Sequence, residues 1–125
     1  MTASPLFPCP CCGYLVFAEK PGSYEICPIC FWEDDVSQLR FPTMGGGANR
    51  PSLREAQATF AEIGAIEERF LGHVRALTVD DQRDLGWHPL DVVRDEIQVP
   101  RSGVEYGETY PSDLTTLYYW RRSAG

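Results

Sequence analysis

Residues 9–12 are Cys-Pro-Cys-Cys and residues 27–30 are Cys-Pro-Ile-Cys, so each tetrapeptide contains a Cys-x-x-Cys pair. Fourteen residues separate the two pairs, which is close to the spacing in zinc ribbons. Two residues between ligands form a tight turn, called a knuckle, that directs both sulfurs at one ion. The pattern predicts that one metal ion is bound by Cys9, Cys12, Cys27 and Cys30.

The residues inside and after each pair favour such turns. Pro10 and Pro28 fix φ at the start of each knuckle. Gly13 follows the first knuckle and can adopt the left-handed conformation that often closes one. Phe31 holds the equivalent place after the second knuckle, so a closing turn with positive φ would strain it.

The sulfur-only ligand set limits the choice of metal to zinc or iron. The order Cys9-x-x-Cys12-Gly13-Tyr14 is similar to the first knuckle of rubredoxins, which keeps iron as the alternative. We favour Zn²⁺, because sites of this kind are so often structural. Four protein ligands leave no position for water, so we expect a structural ion and not a catalytic one.

The fifth cysteine, Cys11, lies between two predicted ligands. An odd number of cysteines in a chain without an export signal disfavours a disulfide framework. Buried free thiols and a local disulfide within each pair are the alternatives to metal binding. Cys11 itself is a candidate reactive thiol or an inert knuckle residue, and only His73 or His88 could approach it in space as a base.

Short segments around the knuckles have β propensity. Residues 14–17 and 24–26 are rich in aromatic and β-branched residues, and Pro21-Gly22 between them suits a type II turn. The sequence predicts that these two segments pair as a hairpin. Residues 41–51, with three consecutive glycines, are predicted to be a flexible Gly/Pro loop.

A long amphipathic helix is predicted to follow. Ser52 and Glu55 form a capping-box pattern, and Gly72 is the expected end. The predicted apolar face consists of Leu53, Ala56, Phe60, Ile63 and Phe70.

Residues 77–99 have no clear secondary-structure pattern, and a helical pattern appears again near the C-terminus. Ser112 and Asp113 can cap a last helix that carries Leu114, Leu117, Tyr118 and Trp120. The predicted fold is α+β: a zinc-ribbon-like β-hairpin packed against the long helix and one or two shorter C-terminal helices. We expect one domain, 1–125, made of a metal module (1–40), the loop (41–51) and a mainly helical part (52–125).

Three acidic residues, Glu33, Asp34 and Asp35, directly follow the second knuckle. We expect them to form an exposed acidic rim that, with Trp32, binds a protein partner. The alternatives are a hard-cation site or an acid and base pair, but three consecutive side chains cannot all face one point. For Trp32 the alternative is a buried cap over the metal site.

Composition excludes several classes of partner. The chain has 125 residues and a formal net charge of −7, which argues against nucleic-acid binding, since that depends on a basic surface. No run reaches the roughly 18 apolar residues that cross a bilayer. Residues 1–12 lack a charged start followed by an apolar run, so a cytoplasmic location is predicted.

The chain resembles the cysteine-rich CPCC family of small bacterial proteins. The resemblance is carried by residues 9–14, by the run Cys-Pro-Ile-Cys-Phe-Trp-Glu-Asp-Asp at 27–35, by 46–49, by 52–56 and by 64–65, roughly the first half of the chain. It implies a zinc-ribbon-like module in the bacterial cytoplasm and implies no reaction.

Three functions follow as hypotheses. The first is a non-enzymatic, zinc-stabilised interaction module whose acidic surface binds another protein, a basic one being favoured by charge. The second is electron transfer by a rubredoxin-like iron site. The third is a small enzyme that depends on the Cys11 thiol or on the acidic cluster. Whether the protein is an enzyme is left open, with the balance toward a binding role.

Overall fold

The computed structural model describes residues 5–122, so the ends of the predicted 1–125 domain, residues 1–4 and 123–125, lie outside it. Short helices and one small sheet make up its regular structure, which confirms the α+β class in outline. The elements are β1 (Phe7–Pro8), β2 (Leu15–Phe17), α1 (Val36–Arg40), α2 (Leu53–Ile63) and 3₁₀ helices at Glu68–His73, Gly107–Thr109, Leu114–Leu117 and Tyr119–Arg121.

The sheet is an antiparallel hairpin of β1 and β2, in which Phe7 pairs with Phe17 and Pro8 with Leu15. The first knuckle is the loop of this hairpin. The predicted pairing of residues 14–17 with 24–26 is therefore wrong. Each knuckle reverses the chain, so the segments before and after the same cysteine pair become neighbours.

The second knuckle shows the same arrangement on a smaller scale. Ile26 before it and Glu33 after it form an isolated antiparallel bridge. The turn predicted between residues 20 and 23 does contain Gly22 at φ +94°, a value that favours glycine. It connects the two knuckle units and does not form the loop of a hairpin.

Helix α2 begins as predicted but ends earlier. The Ser52 amide donates to Glu55 Oε1 at 2.9 Å and the Glu55 amide donates to Ser52 Oγ at 3.1 Å, so the capping box is formed. Gly64 ends the helix in the left-handed conformation, with φ +89°, and its amide donates to the Phe60 carbonyl. The prediction that Gly72 ends a long helix is wrong, because Gly64 closes it and a separate 3₁₀ helix, Glu68–His73, follows.

The glycine loop is fastened to the core by Gln38 of α1, which is completely buried. Its amide nitrogen donates to the carbonyls of Met44, Asn49 and Pro51 at 3.0–3.1 Å. Its amide oxygen accepts from the Asn49 backbone at 3.0 Å. Residues 44–51 are thus held by a fixed hydrogen-bond network, in contrast to the flexible connector that the glycines predict.

The C-terminal residues pack into the same core as the cysteines. Asp113 caps a 3₁₀ helix by accepting from the Thr115 amide at 3.0 Å. The capping role of Asp113 agrees with the sequence, although the helix is 3₁₀. The side chains that follow, Leu117 and the aromatic run 118–120, are buried against the cysteine cluster. Two successive 3₁₀ helices replace the predicted α-helix there. Among residues 5–122 no helix has the length and apolar character needed to span a bilayer.

Candidate metal centre

Four cysteine sulfurs converge at the centre of the core. The Cys9 and Cys30 sulfurs lie 3.6 Å apart, and those of Cys12 and Cys27 lie 3.7 Å apart. All four lie within 4.8 Å of one another. A tetrahedral ion with metal–sulfur bonds of about 2.3 Å has sulfurs about 3.8 Å apart. The observed spacing fits a single four-coordinate metal ion.

The cysteines are not joined to one another. All five are free and buried. The sulfur separations between the two pairs, 3.6 Å for Cys9–Cys30 and 3.7 Å for Cys12–Cys27, also exceed the length of a disulfide bond, which is about 2.05 Å, so neither pair is linked to the other. Local disulfides within each pair, the covalent alternative drawn from the sequence, are absent from this cluster.

The two knuckles have the same backbone geometry. The Cys9 amide donates to the Tyr14 carbonyl at 2.9 Å, and the Cys27 amide donates to the Trp32 carbonyl at 2.8 Å. Within each turn the residue after the second cysteine donates back to the carbonyl of the first. Two turns with matching hydrogen bonds therefore carry the four sulfurs.

The residues that close the knuckles both have positive φ, +81° at Gly13 and +76° at Phe31. Glycine adopts this conformation freely, whereas phenylalanine is strained in it by about 1–2 kcal/mol. The Phe31 ring packs on Phe70 with centroids 4.3 Å apart and on His73 at 5.4 Å. Ring packing with these two residues offsets part of the strain at the second knuckle.

Backbone amides point at the sulfurs of the second knuckle. The Ile29 and Cys30 amides donate to Cys27 Sγ at 3.4 Å, and the Trp32 amide donates to Cys30 Sγ at 3.4 Å. Four thiolates around a dication carry a net charge of −2. Amide donors stabilise that charge and orient the sulfurs.

Burial disfavours thiolates in this cluster unless a positive charge lies beside them. It raises the pKa of Cys9 and of Cys30 well above the usual range, because a charged sulfur loses its hydration in the core. A divalent cation supplies the opposite charge that this donor set requires. The chemistry of the four residues thus fits a metal as well as their spacing does.

The fifth cysteine has the position of an inert knuckle residue. Cys11 is 1% exposed and occupies the same place in its turn as Ile29, a core residue, does in the other. Burial raises the pKa of the Cys11 thiol. This burial favours the alternative of an inert knuckle residue over a reactive thiol.

Within residues 5–122, neither histidine forms a hydrogen bond with Cys11. Nε2 of His88 bonds to the Asp95 carboxylate at 2.9 Å and Nδ1 bonds to the Gly86 carbonyl at 3.1 Å. The bond to Asp95 raises the pKa of His88. His73 packs against the ring of Phe31.

Later segments of the chain cover the first knuckle, which the sequence did not predict. The Pro10 carbonyl accepts from Gln57 Nε2 at 3.0 Å and from Trp87 Nε1 at 3.1 Å. Arg83 Nε donates to the Cys12 carbonyl at 2.9 Å. These donors are 47 to 77 residues distant in the chain, and no local pattern identifies them.

The second knuckle is held in the same way. The Pro28 carbonyl accepts from the Arg75 amide at 2.9 Å, and the Cys30 carbonyl accepts from the Ile66 amide at 2.9 Å. The carbonyls of both knuckles thus accept hydrogen bonds from α2 and from the segment that follows it. The metal module and the rest of the chain share one hydrogen-bonded core.

The prediction of an exposed acidic rim at residues 33–35 is wrong for Asp34 and Asp35, which are buried, whereas Glu33 is partly exposed. Asp34 is 2% exposed and accepts a hydrogen bond from the Ser23 hydroxyl at 2.7 Å, and burial raises its pKa. Asp35 is 5% exposed, because it caps α1 through the Ser37 amide and accepts from the Ala48 amide.

The other two residues of the predicted partner site are also committed to internal structure. Trp32 is completely buried, in agreement with the alternative of a cap over the site. Glu33 bonds through its backbone to the Asn49 side chain at 2.8 and 2.9 Å, and its side chain remains partly exposed. The backbone after the second knuckle therefore binds the glycine loop, and of residues 32–35 only Glu33 has a partly exposed side chain.

Comparison with known proteins gives one family. The family model described as cysteine-rich CPCC matches residues 7–81, which includes both cysteine pairs and extends past α2. No curated protein matches the chain.

Proposed function

The chain belongs to the cysteine-rich CPCC family, and from that premise we propose that it is a non-enzymatic protein-interaction module built around one structural Zn²⁺. The tetrahedral spacing of the sulfurs of Cys9, Cys12, Cys27 and Cys30 is the observation that supports it most strongly. A full set of four thiolates leaves no coordination position for a substrate. Bound zinc supplies folding free energy to a small core.

Burial of the cluster favours zinc over redox-active iron. Each of the four cysteines is completely buried, and the aromatic residues Tyr118–Trp120 and the side chain of Trp32 belong to the same buried cluster. An electron carrier exchanges electrons fastest when its metal lies near the surface that meets the partner. A covered centre instead suits a permanent structural ion.

Metal analysis tests this choice directly. Protein purified without a metal-affinity tag is expected to contain one zinc per chain and to be colourless. Inductively coupled plasma mass spectrometry measures zinc and iron on the same sample. A red preparation with stoichiometric iron would establish the electron-transfer alternative instead.

The proposed partner surface is the segment 77–105, which is mostly exposed and lacks long helices or strands. Aliphatic side chains protrude from it, with Val79 98%, Leu85 93% and Val93 89% exposed. The segment contains seven acidic residues and three arginines. Exposed aliphatics among acidic groups suit a basic partner with apolar anchor residues, since opposite charges guide encounter and apolar contacts supply affinity.

A triple variant tests this surface. Val79→Ser, Leu85→Ser and Val93→Ser together are expected to reduce capture of a specific basic protein from host lysate about tenfold or more. The matched control is Ile63→Ser with Leu71→Ser, two exposed aliphatic positions outside the segment. Quantitative mass spectrometry compares the three baits. Equal recovery by the wild type and the triple variant would exclude this surface.

A further inference from the structure

An open groove of about 340 Å³ lies between α1 and residues 100–110, and no cysteine lines it. Most of its lining is apolar or aromatic and consists of Phe41, Met44, Pro100, Val104, Tyr106 and Tyr110. Val104 is 47% exposed, and the two tyrosines are partly exposed. Concave apolar surface that is open to solvent is typical of a binding site.

The tyrosine rings of this groove are held in fixed positions. Arg40 is buried and does not line the groove, and its guanidinium carbon lies 5.2 and 4.6 Å from the ring centroids of Tyr106 and Tyr110. The Tyr106 hydroxyl accepts from the Arg101 amide at 2.9 Å, and the Tyr110 hydroxyl donates to Ser37 Oγ at 3.1 Å. Each tyrosine is therefore held at its ring and at its hydroxyl. Rigid aromatic side chains lose little conformational entropy when they bind a ligand.

Two polar side chains of the lining can still bind a ligand. Ser37 Oγ accepts from the Tyr110 hydroxyl, so the O–H group of Ser37 can donate to a further acceptor. Glu105 carries the charge of the lining and accepts from the Gly107 amide at 2.8 Å. Within residues 5–122, Glu105 forms no ion pair. A ligand that suits the groove therefore supplies an acceptor to Ser37 and a positive charge to Glu105.

The charge around the groove has the same sign as Glu105. Residues 96–113 contain four acidic residues and one arginine, Glu96, Glu105, Glu108, Asp113 and Arg101. The whole chain carries a formal net charge of −7. A negative field attracts basic ligands and repels acidic ones, so the charge complementarity favours a basic partner.

We propose that the groove binds a proline-rich peptide that carries a basic residue next to its prolines. Proline rings pack on Tyr106 and Tyr110, and the basic group pairs with Glu105. A polyproline II helix has no internal hydrogen bonds, so its carbonyls are free to accept from Ser37, and its stiffness limits the entropy lost on binding. An added β-strand is disfavoured, because the residues that line the groove belong to no strand. This inference rests on the proposed interaction role and names the partner's chemistry, since the groove includes Pro100, Val104 and Glu105 of the segment 77–105.

The experiment titrates the ¹⁵N-labelled protein with acetyl-Arg-Pro-Pro-Leu-Pro-Pro-Arg-amide and follows the backbone amide signals of Val104, Tyr106 and Gly107 by NMR. We expect saturable shifts of these signals. Replacing the prolines of the peptide by alanine is expected to weaken binding about tenfold or more, because the stiff helix and the ring contacts are both lost. Replacing both arginines by glutamine is expected to weaken binding about threefold, the effect of one exposed ion pair.

Three variants at exposed positions locate the binding. Val104→Ser removes part of the apolar wall and is expected to weaken binding about fivefold. Val99→Ser is the matched control, because Val99 is 65% exposed in the same segment and does not line the groove, so we expect wild-type affinity. Glu105→Gln is expected to weaken binding of the arginine peptide about threefold and to leave binding of the glutamine peptide unchanged.

Several results would overturn the proposal. One is the absence of saturable shifts at about 2 mM peptide, a concentration that reveals dissociation constants near 1 mM. Equal affinity for the proline and alanine peptides would refute the polyproline ligand, and equal affinities of Val104→Ser and Val99→Ser would place the binding outside the groove. If the peptide does not bind while the triple variant at Val79, Leu85 and Val93 still loses its partner, this inference fails and the proposed function stands. Peptide binding with full partner recovery by the triple variant would instead locate the partner site in the groove.

Discussion

Replacing Cys30 by alanine is expected to abolish metal binding and to unfold the N-terminal third of the protein. The Cys30 sulfur lies 3.6 Å from that of Cys9 and accepts the Trp32 amide, so its loss removes one of four ligands and an amide partner. Structural zinc contributes about 10–16 kcal/mol of apparent binding free energy. Whole domains are stable by only about 5–15 kcal/mol. Circular dichroism and metal content of the purified variant measure both losses.

Cys11→Ala is the matched control, because it removes a thiol from the same knuckle that is not a ligand. We expect full metal content and a loss of about 1–2 kcal/mol in the free energy of unfolding, from the small cavity alone. If Cys30→Ala retains one metal ion per chain and melts with the wild type, the cluster is not a metal site. If Cys11→Ala loses the metal, the assignment of ligands is wrong.

A methyl group at Gly13 is expected to cost about 2–5 kcal/mol of stability. Gly13 closes the first knuckle at φ +81°, where alanine loses about 1–2 kcal/mol. Its added Cβ would lie 2.4 Å from Cδ2 and 2.6 Å from Cγ of Trp87, so the indole must move. Displacing a packed ring costs about 1–3 kcal/mol more. Urea unfolding followed by circular dichroism measures the loss.

Gly64→Ala separates the free-energy cost of the left-handed backbone conformation from the cost of displacing Trp87. Gly64 has a similar φ, +89°, but an added Cβ there meets no atom within 4 Å. The two variants share the cost of the left-handed conformation, and only Gly13→Ala displaces the tryptophan. Equal losses in the two variants would show that Trp87 does not press on the knuckle in solution.

The sequence predicts the metal cluster well because the two-residue spacing within each pair is local information. A knuckle forms from about six consecutive residues, so its ligands and closing residue are visible in one short window. The predicted Ser52 cap succeeds for the same reason, since the capping box lies within four residues.

The hairpin was predicted with the wrong partner because β propensity does not specify pairing. Residues 14–17 and 24–26 both favour strands, and a good turn separates them. The cysteine pairs impose a stronger constraint, since each brings its own flanks together. Strand pairing here follows the knuckles, as the β1–β2 register shows.

The prediction that Asp34 and Asp35 are exposed was wrong because a sequence shows which residues are charged but not which of them are buried. Asp34 and Asp35 are charged residues next to a motif, and such residues usually face solvent. Here they satisfy the Ser23 hydroxyl and the amides of α1 and the glycine loop. The contacts of Gln57 and Arg83 with the first knuckle were missed for a related reason, since their partners lie 47 and 71 residues away in the chain.

X-ray absorption at the zinc edge of the purified, untagged protein tests the central claim most directly. The account predicts a single shell of four sulfurs at about 2.3 Å. A shell containing nitrogen or oxygen, or a preparation without any transition metal, would contradict it.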